Sequence, residues 1–218
     1  MKKNLLKIGY KKWTIELCNL LIKENLKLIW TCQTRADKVD LDLLKLMKKA
    51  GCRSILYGVE SLDQEALDKI KKDIKESNIE KALILTKKQG IETRCSLMIG
   101  LPGETKESVF KTIDLLIKLN PSFIQIHTTL AFPGTELSEN IEKYGSVLKD
   151  TTMKKFDLSG HPFIPKAYKD EKEILDLQKK AYKKFYLRPR YIFGKIFNIK
   201  QLSRSLRGIK IFFKIFRR

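Results

Sequence analysis

Four short stretches carry groups whose types and spacing could do chemistry. Glu60 directly follows the apolar run Ser54-Ile55-Leu56-Tyr57-Gly58-Val59, so a buried strand would deliver its carboxylate to a rim. A rim carboxylate accepts two hydroxyl hydrogen bonds, as a ribose diol offers. It can equally cap a helix that starts near Asp63. Gly100-Leu101-Pro102-Gly103-Glu104-Thr105 follows a second apolar run. Its glycines would let a ligand approach the backbone closely, or they form a tight turn with Thr105 as the next N-cap. Cys32-Gln33-Thr34-Arg35 and Thr128-Thr129 are the other two polar stretches at strand ends. The remaining candidates are sparse. His127 reads as a core or rim residue on a strand and His161 as an exposed loop residue, and they are the only histidines. They form no metal pair at helical spacing. Neither a G-x-S-x-G elbow nor a G-x-x-x-x-G-K-[ST] loop occurs. Cysteines 18, 32, 52 and 95 are never closer than 14 residues and read as small buried hydrophobes.

The elements that must position these groups alternate strand and helix. Apolar runs predict strands over 26–32, 53–59, 91–99 and 122–130. Between them, helical periodicity predicts helices over 40–50, 63–72, 77–89 and 105–119. A further helix precedes the first strand, through Trp13, Leu17, Leu20 and Leu21. Such alternation with short turns implies parallel strands joined by right-handed crossovers. The runs look continuously apolar, as strands covered on both faces should. Ligands of such sheets sit at the carboxyl ends of the strands, where the four polar stretches fall. Residues 131–165 are irregular and rich in Pro and Gly, and 168–187 reads as a helix. The expected division is therefore 1–130, 131–187 and a basic tail, 188–218.

Composition narrows the class. With 218 residues, 43% apolar and 32% charged, the chain can bury a core. Collagen, a disulfide mini-protein and a polytopic membrane protein are excluded. The low cysteine density points to a reducing, cytoplasmic compartment. Lys7, Lys11 and Lys12 interrupt what would have to be a signal-peptide core. The formal charge of +20 comes mainly from 36 Lys against 9 Arg, a chain-wide preference for Lys that does not require nucleic acid. The tail is different in kind, with ten Lys or Arg, no Asp or Glu, and Ile209, Phe212, Phe213 and Phe216 near one helical face. A basic amphipathic helix suits a peripheral contact with an anionic membrane, docking on another domain, RNA, or packing on its own fold.

At these same residues the chain resembles the radical S-adenosylmethionine (radical SAM) superfamily, and most of all its cobalamin-binding-domain branch. The ordered set is Leu28–Arg35, Leu44–Tyr57, Gly58-Val59-Glu60-Ser61, Ile99–Thr105 and Phe132-Pro133-Gly134-Thr135. The resemblance covers roughly residues 10–190. It implies an α/β fold: an incomplete partial (βα) barrel retaining about four of six parallel strands, with a helical, basic tail. It implies S-adenosylmethionine across the strand ends, with Arg35, Glu60, Ser61, Lys72, Ser96, Gly100 and Gly103 around it. Glu60 matches a polar residue that contacts the cofactor, and Lys72 a basic residue near its carboxylate. Ser96–Gly103 match a motif lying along the adenine, with Ser96 in place of a glycine. Lys72 also reads as a solvated helix lysine.

One departure is large. The family holds a [4Fe–4S] cluster through a C-x3-C-x2-C loop, and no such motif occurs here. By the same resemblance, the chain is expected to begin where the family's second strand is ending. The expectation is a truncated enzyme fragment, inactive alone in the family's reductive cleavage or methyl-transfer chemistry, with cobalamin confined to full-length relatives. The strand at 26–32 would then be an exposed edge unless residues 1–12 or another chain cover it. A second expectation is a non-enzymatic module that complements a cluster-bearing or cobalamin-binding chain, or binds a membrane or nucleic acid through the tail.

Overall fold

A short polar side chain takes the first free amides of most helices, and each such cap follows a strand end. In a computed structural model, which describes residues 5–8, 11–132, 134–147, 163–189 and 191–192, Asp40 accepts from the Leu43 amide at 2.9 Å and Asp63 from Ala66 at 3.0 Å. Thr105 and Ser108 exchange both bonds of a capping box. The strands are β1 (Leu5–Ile8), β2 (Trp30–Thr34), β3 (Cys52–Glu60), β4 (Glu92–Ile99) and β5 (Phe123–Thr128). The helices between them are α1 (Lys11–Lys23), α2 (Leu41–Lys49), α3 (Gln64–Lys69), α4 (Glu76–Lys88) and α5 (Lys106–Leu119). The five strands form one parallel sheet in chain order. Two short helices, α6 (Glu136–Glu139) and α7 (Ile141–Tyr144), and an antiparallel pair, β6 (Gly145–Val147) with β7 (Phe163–Pro165), lead to α8 (Glu171–Tyr186).

Burial alternates cleanly along β2, β4 and β5. One face, with Cys32, Cys95, Leu97, Ile124 and Ile126, is buried with Leu44, Met47, Ile79, Leu83, Leu116 and Leu177 of the helices in one core. Each such side chain contributes about 2 kcal/mol through burial. The other face is half-exposed and largely polar, so the expectation of strands covered on both faces is corrected. Gly58, Ser96 and Gln125 lie abreast on it, as do Met98 and His127. The uniform look of Leu97-Met98-Ile99 in the sequence hid this, because Met98 is apolar yet belongs to the open face.

Three further corrections concern the start of the chain and the α3 turn. Residues 5–8 form β1, one of the two covers expected for the edge at 26–32, and make the sheet five-stranded where about four strands were expected. The second strand lies later than expected, at Trp30–Thr34, and Leu26, Leu28 and Ile29 are exposed. Gly51 fixes that register: its φ is 92°, and a Cβ there would sit 2.0 Å from the Leu28 carbonyl oxygen. Helix α3 stops at Lys69, short of the expected residue 72, because Lys71 and Asp73 are left-handed.

The free edge of β5 is sealed by side chains of α8 and the turn after it. Tyr186 Oη accepts from the Ile124 amide at 2.9 Å and donates to the Ile124 carbonyl at 2.6 Å. Tyr182 Oη accepts from the Ile126 amide at 2.7 Å, while Gln178 donates to the Ile126 carbonyl and Tyr191 to that of Ser122. His161 and the tail from residue 193 onward lie outside the described residues. Among the described residues no helix is long and apolar enough to cross a membrane.

Candidate functional site

Parallel strands deliver their carboxyl ends to one rim. Arg35, Glu60, Gly100 and Thr129 stand there, at or just after the last residues of β2, β3, β4 and β5. Thr129 is buried, and its amide and hydroxyl both donate to the Ile99 carbonyl, at 2.9 and 3.1 Å.

Glu60 is the most constrained of these. It is a non-glycine residue at φ 63°, a conformation that costs of order 1–3 kcal/mol and persists where the surroundings impose it. Its Oε1 accepts from Lys72 Nζ at 2.8 Å, with the two side chains only 18% and 16% exposed. Gly58 makes room for that pair: a Cβ there would lie 2.8 Å from Glu60 Oε1 and 3.4 Å from Lys72 Nζ. The helix beyond Asp63 is capped by Asp63 itself, not by Glu60.

Arg35 reaches the same place from β2. One Nη2 donates to the Lys72 carbonyl at 2.8 Å and the Asp73 carbonyl at 3.3 Å, while Nε donates to Asp37 at 2.9 Å. The Asp37 hydrogen bond holds the guanidinium firmly protonated. Among the expected ligands, Arg35, Glu60 and Lys72 therefore meet.

Ser61 does not join them. It is buried, its Oγ lies 3.5 Å from Thr112 Oγ1 and it accepts from the Asp63 amide. Its hydroxyl serves the turn into α3. Ser96 lies two residues behind the register of Glu60 on the open face, beside Gly58.

The glycine loop is built around Glu104, a residue that sequence reasoning treated only as part of the turn. Glu104 is 2% exposed, and its Oε2 accepts from the Gly100 amide at 2.6 Å, from Leu101 at 3.3 Å and from Tyr168 Oη at 3.5 Å. Burial outweighs these donors and pushes its carboxyl up to about 7. Gly100 and Gly103 have φ of 84° and 75°. The space a Cβ would fill at Gly103 holds the Lys69 side chain, with Nζ 2.1 Å from that position. Lys69 thus adds a third cation to the rim. Gly58 and Glu104 had a legible signal, a glycine inside a strand and an acid closing a turn. Lys69 had none among its many Lys neighbours.

The cysteines do not fit a cluster. Cys18, Cys32 and Cys52 are less scattered than their spacing implied, because α1, β2 and β3 bring them into one another's fields inside the core. All four are free and buried. Burial, then Cys52, pushes the Cys18 thiol up to about 11. A hydrogen bond with Cys52 and burial push Cys32 higher still, and burial alone does so for Cys95. These are protonated core thiols, whereas a cluster requires thiolates. Among the described residues no group of three or more His, Cys, Asp or Glu could hold a metal ion.

Comparison with known proteins agrees with this architecture. Residues 5–116, just over half of the chain, match the family described as the radical SAM superfamily. An uncharacterized methyltransferase of Pyrococcus horikoshii, PH0819, is 30% identical over 201 residues, which is 91% of this chain and 43% of that protein. The chain thus spans less than half the length of that relative. Coproporphyrinogen III oxidase of Escherichia coli, a radical SAM enzyme, superposes with a TM-score of 0.59 at 20% identity, over 82% of this chain and 37% of that one. The methyltransferase TsrM of Kitasatospora setae, solved with cobalamin and a [4Fe–4S] cluster, gives 0.55 at 18% identity over 78% and 34%. At these identities the structures speak for the fold.

Proposed function

The chain belongs to the radical SAM superfamily, and from that membership we propose that its rim binds S-adenosylmethionine. Glu60 takes the ribose hydroxyls, Lys72 the α-carboxylate, and the Gly100–Gly103 backbone lies along the adenine. The observation that supports this reading is the left-handed Glu60 held against Lys72 over Gly58. A strained acid paired with a base at the end of a parallel strand, beside a glycine loop, suits a ligand carrying both hydroxyls and an anion. The pair is also a gate. An entering carboxylate competes for the Lys72 ammonium and releases Glu60 to accept the diol.

In this superfamily the bound cofactor supplies a 5′-deoxyadenosyl radical once a [4Fe–4S] cluster delivers an electron. The four buried cysteines do not fit that cluster, so we propose that these 218 residues hold the cofactor without cleaving it. Cleavage, and any methyl transfer of the kind the relatives' names describe, would need cluster ligands from outside these residues.

Equilibrium dialysis of the full chain with S-adenosylhomocysteine tests the site. Binding that weakens about tenfold in Glu60→Ala, the worth of one hydrogen bond to a charged group, supports it. Binding unchanged in that variant overturns the assignment. Stoichiometric iron and sulfide after anaerobic reconstitution, with formation of 5′-deoxyadenosine, would overturn the second proposal.

A further inference from the structure

We propose that Arg35 is a positioning residue: it aims Lys72 at the cofactor's carboxylate and does not itself touch the ligand. The inference rests on the rim binding S-adenosylmethionine as proposed above. Lys72 lies in a turn that a chain of L-residues does not hold by itself, since its neighbours Lys71 and Asp73 have φ of 52° and 49°. Both sides of the Lys72 peptide are tied. Its amide donates to the Leu67 carbonyl at 3.0 Å, closing the end of α3. Its carbonyl accepts from Arg35 Nη2 at 2.8 Å, and the Asp73 carbonyl from the same nitrogen. With both peptide groups fixed, the Lys72 side chain is left to reach Glu60 Oε1.

Arg35 can act this way because its own plane is fixed. Asp37 accepts from Nε at 2.9 Å and from Nη2 at 3.3 Å, a two-point grip only a planar guanidinium can receive. Nε and Nη2 are thereby engaged by Asp37 and by two carbonyls of the turn. The same turn is steadied from its far side by the Lys71–Glu136 ion pair. Arg35, from the end of β2, thus holds a turn 37 residues later in the chain.

The test uses the full chain, Arg35→Ala and Arg35→Lys, with two probes that differ in the carboxylate. S-adenosylhomocysteine carries the amino-acid moiety and 5′-methylthioadenosine lacks it. Arg35→Ala is expected to weaken S-adenosylhomocysteine about tenfold or more while leaving methylthioadenosine within about threefold. Added guanidinium ion restores part of the loss, and Arg35→Lys does not, since lysine lacks the fork. Equal weakening of both probes, or of neither, overturns the proposal. Amine acetylation read by mass spectrometry decides it without a ligand. Lys72, 16% exposed, becomes reactive in Arg35→Ala, while Lys69, 40% exposed, does not change. Unchanged protection of Lys72 refutes the positioning role. If the wild type binds neither probe, the nucleoside reading fails, and the acetylation result still judges Arg35.

Discussion

Glu104→Gln isolates the acid at the centre of the glycine loop. In the fold the carboxyl titrates at about 7, against 4.5 when exposed, because burial outweighs the amides of Gly100 and Leu101 and the Tyr168 hydroxyl. Asp63, across the loop at the start of α3, adds repulsion. The sign follows from linkage: a folded pKa above the unfolded one means that the fold holds the proton more tightly. Below pH 4.5 the group is neutral in both states and makes no difference. As pH rises from there to about 7, the fold loses stability relative to the unfolded chain, and above that the loss is constant. A shift of this size corresponds to about 3 kcal/mol. Gln keeps an acceptor for the two amides and cannot ionise, so its own cost does not vary with pH. Urea unfolding between pH 4.5 and 8.5, followed by the fluorescence of Trp30, which is 4% exposed, measures both proteins. Wild-type stability minus that of the variant should fall by about 3 kcal/mol across this range. Parallel profiles, differing by a constant, would show that water reaches the carboxyl and refute the reasoning.

Two other outcomes are expected. Gly58→Ala puts a methyl group 2.8 Å from Glu60 Oε1; dialysis should show S-adenosylhomocysteine binding about tenfold weaker, with the urea midpoint nearly unchanged. Tyr182→Phe and Tyr186→Phe each leave an edge amide of β5 without its hydroxyl acceptor; each should cost about 1–2 kcal/mol in urea unfolding.

Much of the fold was legible because its signals are local. The runs at 53–59, 91–99 and 122–130 became β3, β4 and β5, since each is followed by a residue able to cap a helix or break the strand. What depends on pairing was less legible. Leu5–Ile8 is four residues long and contains Lys7, so only its hydrogen bonds to β2 mark it as a strand. Leu28 and Ile29 are as apolar as any strand residue, yet Gly51 packs against the Leu28 carbonyl and β2 starts afterward. At the site, the charges of Arg35, Glu60 and Lys72 could be picked out one at a time. That Arg35 grips the backbone of a turn 37 residues later could not, because carbonyl groups carry no letter in a sequence. The thiols were read rightly as buried hydrophobes, but the mutual nearness of Cys18, Cys32 and Cys52 was not legible, because spacing along the chain is a poor measure of distance across a sheet.

The hydroxyls of Tyr182 and Tyr186 also decide how copies of this molecule can meet. Head-to-tail stacking, β1 of one copy against β5 of the next, would build an endless ribbon, and the side chains occupying the β5 backbone forbid it. Tyrosine hydroxyls thus act as a terminator on the β5 side of the sheet.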